Sequence, residues 1–499
     1  MKTLKYIFQG IISIALLSSC TDFLDREMQG SLSAESFFLN EKDAVSSLTA
    51  AYSDLKDTRY HRSIWSIGDV LSDDATASGS DGDIAAAIRM ESFNYHSDWS
   101  RLLDRWQVCY RAINKANQSI EGISEMDESL FKKLSKSQLL GEAYFLRAYF
   151  HFEVVRTWGD APIVNGVPKI GDKDKKRSPK AEVYAFIEKD LIEAAKLMSK
   201  KSVLGATNLG RATSGAAYTL LAKVYLYDKK YAEAKVAAKS VIDMGETEYK
   251  LFTEFEDNFN LKGEHGSESI FEIDFYQSTS ETANYLTNGN YSSYAMMPRP
   301  FAGYGGNQAL PGLVNAFEPG DKRLKATVLT VADMQGVETQ ANIASLVYNR
   351  TGYYNKKFYL PPKDRVGTGI FTLPLNIRIL RLSELYLIYA EACNRTSDDG
   401  NARIYLNKVR TRAGLLENTT DTGASLLESI LKERRVELAM EGDRFFDLVR
   451  TGKAVAAFNA PEFKAYKTQA NFKPGISELM PIPQLEIENG NGNIVQNPL

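Results

Sequence analysis

A chain of 499 residues with 44% hydrophobic and 25% charged content is long enough to bury one large core or two. Its formal charge of −3 gives no electrostatic case for binding nucleic acid. With 26 Tyr and 24 Phe, rings must supply much of the buried area, and those in Gly- and Asn-rich loops need a separate explanation.

The chain opens with Lys2 and Lys5 ahead of an apolar stretch from Tyr6 to Leu17, followed at once by small residues. That run is too short to cross ~30 Å of hydrocarbon, so residues 1–19 read as a secretory signal rather than a membrane span. Leu17-Ser18-Ser19-Cys20 resembles the lipobox of bacterial lipoproteins, in which the cysteine becomes the acylated first residue of the mature chain. Acyl chains contribute about 0.8 kcal/mol per buried methylene, enough for several of them to anchor stably. The alternative is an ordinary cleaved signal beside a chance cysteine. Removing residues 1–19 takes away two lysines and no acid, so the charge moves from −3 to −5. Nothing downstream is long and apolar enough to span a bilayer, which leaves a soluble, tethered body.

Long helical patterns dominate the rest. The spacing of Leu102, Trp106, Cys109, Ile113, Ala116 and Ile120 predicts a helix over 98–123, and 137–158 reads as a central helix, apolar nearly all round. Ser178-Pro179 predicts an N-cap and first-turn proline for the helix that follows. In 216–243, Leu221, Ala222, Tyr225, Ala234, Ala238 and Val241 fall at the positions of a tetratricopeptide hairpin; Ala390 and Ala402 repeat the twelve-residue offset of Ala222 and Ala234. Such hairpins stack, so residues 98–158 and 425–450 are expected to contribute others. Cys109 and Cys393 sit inside apolar helical patterns and read as buried free thiols, with a disulfide between them unsupported by spacing. The expected fold is mainly α: a scaffold over 34–58, 98–245 and 381–455, packed against an irregular, loop-rich part over 60–100 and 246–380 with a few short strands, one of them in "ESIFEIDFY". Residues 20–499 then form one domain.

No enzyme signature emerges. His61, His96, His151 and His265 form no H-E-x-x-H, G-x-S-x-G is absent, and "GYGGNQ" at 303–308 lacks the Lys-Ser/Thr that phosphate binding requires. Asp73 and Asp74 are adjacent, with Asp81 and Asp83 in the same loop, and a glycosidase needs two such acids; adjacent acids in a polar loop more often cap helices, meet solvent or occasionally hold calcium. Their spacing does not fit a 12-residue calcium loop, so calcium has no support and no cofactor is expected. Sugars offer C–H faces to rings and hydroxyls to polar groups. Two loop clusters suit them: Tyr95, His96, Asp98 and Trp99, and then Tyr285, Asn288, Asn290, Tyr291, Tyr294, Arg299 and Tyr304. The candidate ligand contacts are Asp73, Tyr95, Trp99, Tyr285, Asn290, Tyr291, Tyr294, Arg299 and Tyr304, with no catalytic residue and no metal ligand. For each ring, packing into a local core is an equal alternative.

Six stretches in order carry a family resemblance: "GEAYFLRAYFHFEVVRTWGDAPIV" (141–164), "GRATSGAAYTLLAKVYLY" (210–227), "NIRILRLSELYLIYAEACNR" (376–395), "LNKVRTRAGL" (406–415), "ERRVELAMEGDRFFDLVRTGKA" (433–454) and "LMPIPQLEIENGNGNIVQNPL" (479–499). The chain resembles the SusD/RagB family of outer-membrane nutrient-binding lipoproteins. That resemblance implies tetratricopeptide hairpins against an irregular binding part, a lipid-anchored position at the outer membrane facing the exterior, and a SusC-like TonB-dependent transporter as partner. It implies capture of an oligosaccharide and its delivery to that transporter, with family ligand sites on loops matching roughly 60–100 and 280–310. Peptide capture is the alternative, and a surface glycosidase a remote third. Glu391, Arg410, Arg412, Glu433, Arg434, Glu437, Glu441, Arg444, Asp447 and Arg450 are expected on helices as ion pairs tying hairpins together, and Trp106, Tyr110 and Asn117 as core.

Overall fold

The computed structural model describes residues 37–78, 89–168, 176–276, 289–299, 303–344, 346, 350–365 and 373–499. The signal segment, Cys20, Asp81, Asp83, Tyr285 and Asn288 lie outside the described residues. The fold is mainly α, with helical hairpins and a few short strands, as the sequence predicts. Its principal helices are α1 (Glu41–Ser53), α2 (Thr58–Gly68), α3 (Ser100–Glu125), α4 (Lys136–Trp158), α5 (Lys180–Leu197), α6 (Ser214–Tyr227), α7 (Tyr231–Ile242), α8 (Tyr291–Met296), α9 (Leu382–Arg395), α10 (Asp399–Arg412), α11 (Gly423–Glu437) and α12 (Arg444–Arg450).

Local chemistry sets the ends. Asn40 caps α1 in a reciprocal box with Asp43, and α4 stops at Gly159, whose φ of +74 is open to glycine. The helix after Pro179 starts one residue later than expected: Pro179 itself is the N-cap, its carbonyl accepting from Glu182 and Val183, while Ser178 bridges to Ala161. Asp160 Oδ1 accepts from Lys180 N at 2.7 Å and supplies the cap that a proline side chain lacks. A second difference is α2, which is regular although 60–68 reads as part of an irregular segment. Asp57 caps it and it buries Tyr60 and Ile67.

The helices pack in sequence order. α4 lies between α3 and α5, α6 packs on α5 and α7, and α9 packs on α7, α10 and α11. Ala222, Ala234, Ala390 and Ala402 are wholly buried where these hairpins approach most closely. Trp106 packs at a tilt on Tyr110 and meets Trp158 edge-on, while Asn117 donates to the Val164 and Gly166 carbonyls, so Trp106, Tyr110 and Asn117 belong to the core. Cys109 and Cys393 are buried free thiols. The strand in "ESIFEIDFY" is β2 (Ser269–Ile273), antiparallel to β6 (Ile377–Arg381), and the pair closes the base of the loop-rich segment between them. Two shorter pairs lie elsewhere: β1 (Ala75–Thr76) with β3 (Gln308–Ala309), and β4 (Val328–Leu329) with β5 (Tyr354–Asn355).

Buried charge ties the hairpins together. Glu437 accepts from Arg381 at 2.6 Å and from Arg323 at 2.9 Å, and pairs with Arg412, which also meets Glu268 at 2.8 Å. Arg381 continues to Glu441 at 2.8 Å, and Lys357 meets the same carboxylate at 2.6 Å. Glu433 joins Arg323 at 2.6 Å to Arg410 at 3.0 Å, and Arg434 joins Asp447 at 2.8 Å to Glu384 at 2.9 Å. Arg450 bridges Asp447 and Glu391. One expected position differs: Glu441 lies in the turn between α11 and α12, where Met440 and Gly442 both have positive φ.

Removing one member of such a set leaves the others short of a partner in a buried site. Glu437→Ala is expected to cost about 3–5 kcal/mol in urea unfolding, because three guanidinium groups lose a buried partner. Burial alone would raise the Glu437 carboxyl, but the charges of Arg412, Arg381 and Arg323 outweigh it and hold it well below the usual 4.5. Glu441 and Asp447 are shifted the same way against burial, by Arg381 with Lys357 and by Arg434 with Arg450. Such groups stabilise above their unfolded pKa and lose that contribution as pH falls through the folded one. The urea midpoint should therefore drop between about pH 5 and pH 3, and drop less steeply in Glu437→Gln. An equal slope in both proteins would remove Glu437 from the account.

Candidate functional site

The ring-rich segment expected to be irregular contains a short helix. Asn290 is the N-cap of α8: its Oδ1 accepts from Ser293 N at 3.0 Å, and its Nδ2 and backbone N donate to the Leu375 and Leu373 carbonyls. Ser292 Oγ lies 2.8 Å from His61 Nδ1 on α2. Burial pushes the His61 imidazole down to about 3, so it is neutral in this contact.

This helix presents Tyr291 and Tyr294 together. Their rings are 5.9 Å apart, and Tyr304 meets Tyr294 edge-on at 5.1 Å and Tyr291 at 6.4 Å. Leu360, Leu373, Leu375 and Met297 back the cluster, with Tyr359 at its side. Tyr294 is buried; Tyr291 and Tyr304 are half-buried. Burial, then Tyr304, pushes the Tyr294 phenol up to about 12 against the opposing charge of half-buried Arg299. The set therefore offers phenol hydroxyls, ring edges and a guanidinium.

"GYGGNQ" is the device that seats Tyr304. A Cβ on Gly303 would fall 1.7 Å from the Met297 carbonyl oxygen, and Gly305 and Gly306 donate to the Met297 and Ala295 carbonyls at the end of α8. Asn307 then turns at φ +56 and donates to Asp69 at 2.9 Å, and Gln308–Ala309 pairs with Ala75–Thr76. Asp69 also accepts from Gly442 N at 2.9 Å, and burial pushes its carboxyl up to about 8.

The other candidates go elsewhere. Asp73 receives Arg444 at 2.8 and 3.0 Å and Arg435 at 3.2 Å, and wholly buried Asp74 receives Arg435 at 2.7 Å. These arginines hold the Asp73 carboxyl low against burial, so both acids are tied to arginines and neither caps a helix. Tyr95 donates to the Ser477 carbonyl at 3.3 Å, and Trp99 precedes α3; both rings pack on the main core, not on the tyrosine cluster. Trp65 is a residue that sequence reasoning passed over. It is half-buried on α2 against Gly306, and its Nε1 has no hydrogen-bond partner among the described residues. Tyr276 was passed over too; it is 52% exposed, with Lys56 Nζ 5.3 Å from its ring centroid. The usable signal was a tryptophan on the same helix as His61.

Among the described residues, His265, Glu272 and Asp274 bring ligand-type atoms within 4.8 Å of one another. Asn376 Nδ2 already sits among them, at 3.0 Å from Glu272 and 3.3 Å from Asp274, and Arg378 lies 3.8 Å from Glu272. Asn376 Nδ2 thus already donates to two of the three groups.

A stacked-hairpin scaffold holding a ring-lined loop cluster is the build of a binding protein. Two family models match the chain: one described as the SusD family over residues 267–499, and one as starch-binding associating with outer membrane over 22–226. A SusD-like protein of Bacteroides ovatus is 26% identical over 492 residues, covering 92% of this chain and 85% of its own. SusD-like protein P38 of Formosa agariphila is 28% identical over 490 residues, covering 91% and 92%. Among solved structures, a laminarin binding SusD-like protein superposes with a TM-score of 0.78 at 28% identity, covering 92% of this chain and 99% of that one. Surface glycan-binding protein A from Bacteroides fluxus gives 0.78 at 25%, with the same coverage. The chain belongs to the SusD family.

Because Gly303 is closed to any side chain, Gly303→Ala should lift the loop off α8 and release Tyr304. We expect a loss of about 1–3 kcal/mol in stability and increased quenching of tyrosine fluorescence by acrylamide, with the far-ultraviolet circular dichroism unchanged. A wild-type quenching profile would contradict this role for the turn.

Proposed function

We propose that this protein captures an oligosaccharide at the outer face of the outer membrane, held there by lipid on Cys20, and passes it to a SusC-like TonB-dependent transporter without chemical change. The observation that carries the reading is the convergence of Tyr291, Tyr294 and Tyr304, with Trp65 and Arg299 beside the same loop. Half-buried rings give a sugar apolar faces to lie on, and phenol and guanidinium groups meet its hydroxyls. The laminarin-binding relative supports a glycan as the ligand. The outer-membrane wording of one family model, with the lipobox-like Leu17–Cys20, supports the place.

Catalysis fits less well. The acid pair a glycosidase would need, Asp73 and Asp74, is held by Arg435 and Arg444, so neither carboxylate is available as nucleophile or general base. The delivery step rests on the family resemblance and is tested by co-purification of the tagged chain with a barrel transporter from detergent-solubilised outer membranes.

The binding test uses residues 21–499 in affinity electrophoresis against plant, microbial and host polysaccharides and a mixed peptide digest. One glycan is expected to retard migration, and Tyr304→Ala and Tyr291→Ala are each expected to weaken that binding about tenfold, near 1.4 kcal/mol, with helix content unchanged. Retardation by no glycan together with peptide binding would replace the proposed ligand. Full binding in both variants would move the site.

A further inference from the structure

Away from the ring cluster, one face of α10 is left open. Gly400, Arg403, Ile404, Asn407, Lys408 and Thr411 recur along it at three- and four-residue steps and line a groove of about 610 Å³. Tyr386 and Leu251 contribute to the lining, and the turn after α7 adds Glu246 and Lys250. That volume is in the range of small-ligand sites, roughly 300–1,000 Å³. A solvated helix face has no need of a large apolar side chain, yet Ile404 is 54% exposed.

The charges here are unevenly matched. Arg412 is held by Glu268 and Glu437, and Lys250 meets Glu246 at 3.6 Å. Arg403 and Lys408 form no ion pair among the described residues. Arg403 donates from Nη2 to the Asp421 carbonyl at 2.6 Å, and its buried Nε–H has no acceptor. A buried donor left unmet costs about 1–3 kcal/mol. Lys408 Nζ stands 5.9 and 5.7 Å from the ring centroids of Tyr386 and Tyr405, which keep the ammonium at the groove. Glu417 also stands at the rim and forms no ion pair among the described residues.

We propose that this groove is a second carbohydrate site, separate from the tyrosine cluster, for an oligosaccharide that carries a carboxylate or a sulfate. The anion pairs with Arg403 and Lys408 while the sugar ring lies against Tyr386 and Ile404. An acidic peptide has the same charge but also needs partners for its backbone N–H and C=O groups. Asn407, the groove's amide side chain, is already engaged at both ends with the Asn418 backbone.

The test is calorimetric titration of residues 21–499 with tri-galacturonate, a chondroitin sulfate disaccharide, neutral maltotriose and hexaglutamate. Tri-galacturonate or the sulfated disaccharide should bind, and which of them does identifies the anion. Lys408→Ala and Arg403→Gln should each weaken that binding about tenfold, about 0.5 M salt should weaken it further, and Tyr304→Ala should leave it unchanged. Absence of binding by both anionic sugars, tighter binding of hexaglutamate, or binding lost in Tyr304→Ala but kept in both groove variants would overturn the proposal. Failure here leaves capture at the tyrosine cluster untouched, because that site is read with neutral glycans and different variants.

Discussion

Everything else in the structure is hung on the buried guanidinium–carboxylate network around Glu437. Arg381, Arg412 and Arg323 reach it from the end of β6, from α10 and from the segment before β4, so one carboxylate fixes three elements distant in sequence. Desolvating such charges is expensive, and only several well-placed partners offset it. The arrangement therefore requires these elements to meet in one register, since each guanidinium has to reach its carboxylates. It also reaches the helix beside the tyrosine cluster: past Glu441 the chain turns through Gly442, whose carbonyl oxygen would lie 1.7 Å from a Cβ on Gly68 at the end of α2. The helix carrying His61 and Trp65 is seated directly on the end of the ion network.

The ring cluster draws its geometry from that seat. α8 has six residues, too few to hold its own shape in water. It is fixed from outside, by the Asn290 cap, by Ser292 against His61, and by the Leu373 and Leu375 carbonyls that lead into β6. Tyr294 is consequently as much core as site: its buried ring supports the half-exposed Tyr291 and Tyr304. A ligand meeting these two rings finds them already placed, which lowers the ordering cost of binding.

The long helices and paired alanines were legible because helix burial writes a 3.6-residue period into the sequence, and the ion pairs because charges inside apolar helical patterns need partners. Glu441 shows where that logic ends: its partners were foreseeable, but the turn that holds it depends on positive φ at Met440 and Gly442. α8 was illegible because its Asn, Ser and Tyr composition is that of a loop, and its helicity comes from tertiary anchors. Asp73 and Asp74 looked like loop acids because Arg435 and Arg444 stand more than 350 residues away. Tyr95 and Trp99 share their composition with a sugar site, and only their packing on the main core separates them from the tyrosine cluster.

Buried acids near the ring loop are handled in two ways. Asp73 stays charged because two arginines meet it. Asp69 accepts from Asn307 and Gly442 N, forms no ion pair among the described residues, and burial pushes its carboxyl up to about 8; through Asn307 it holds the Tyr304 loop. Glu338, which accepts from the Tyr359 hydroxyl at 2.6 Å, is matched by Arg365. The tyrosine cluster thus has Arg299 beside it and no unmatched carboxylate among these three, an arrangement that selects by ring contact and hydroxyl geometry. The α10 groove has the opposite character, with two cations, Arg403 and Lys408, that form no ion pair among the described residues. On the proposed reading, selection by shape and selection by charge fall on separate surfaces of one chain, so a change at one leaves the other's contacts in place.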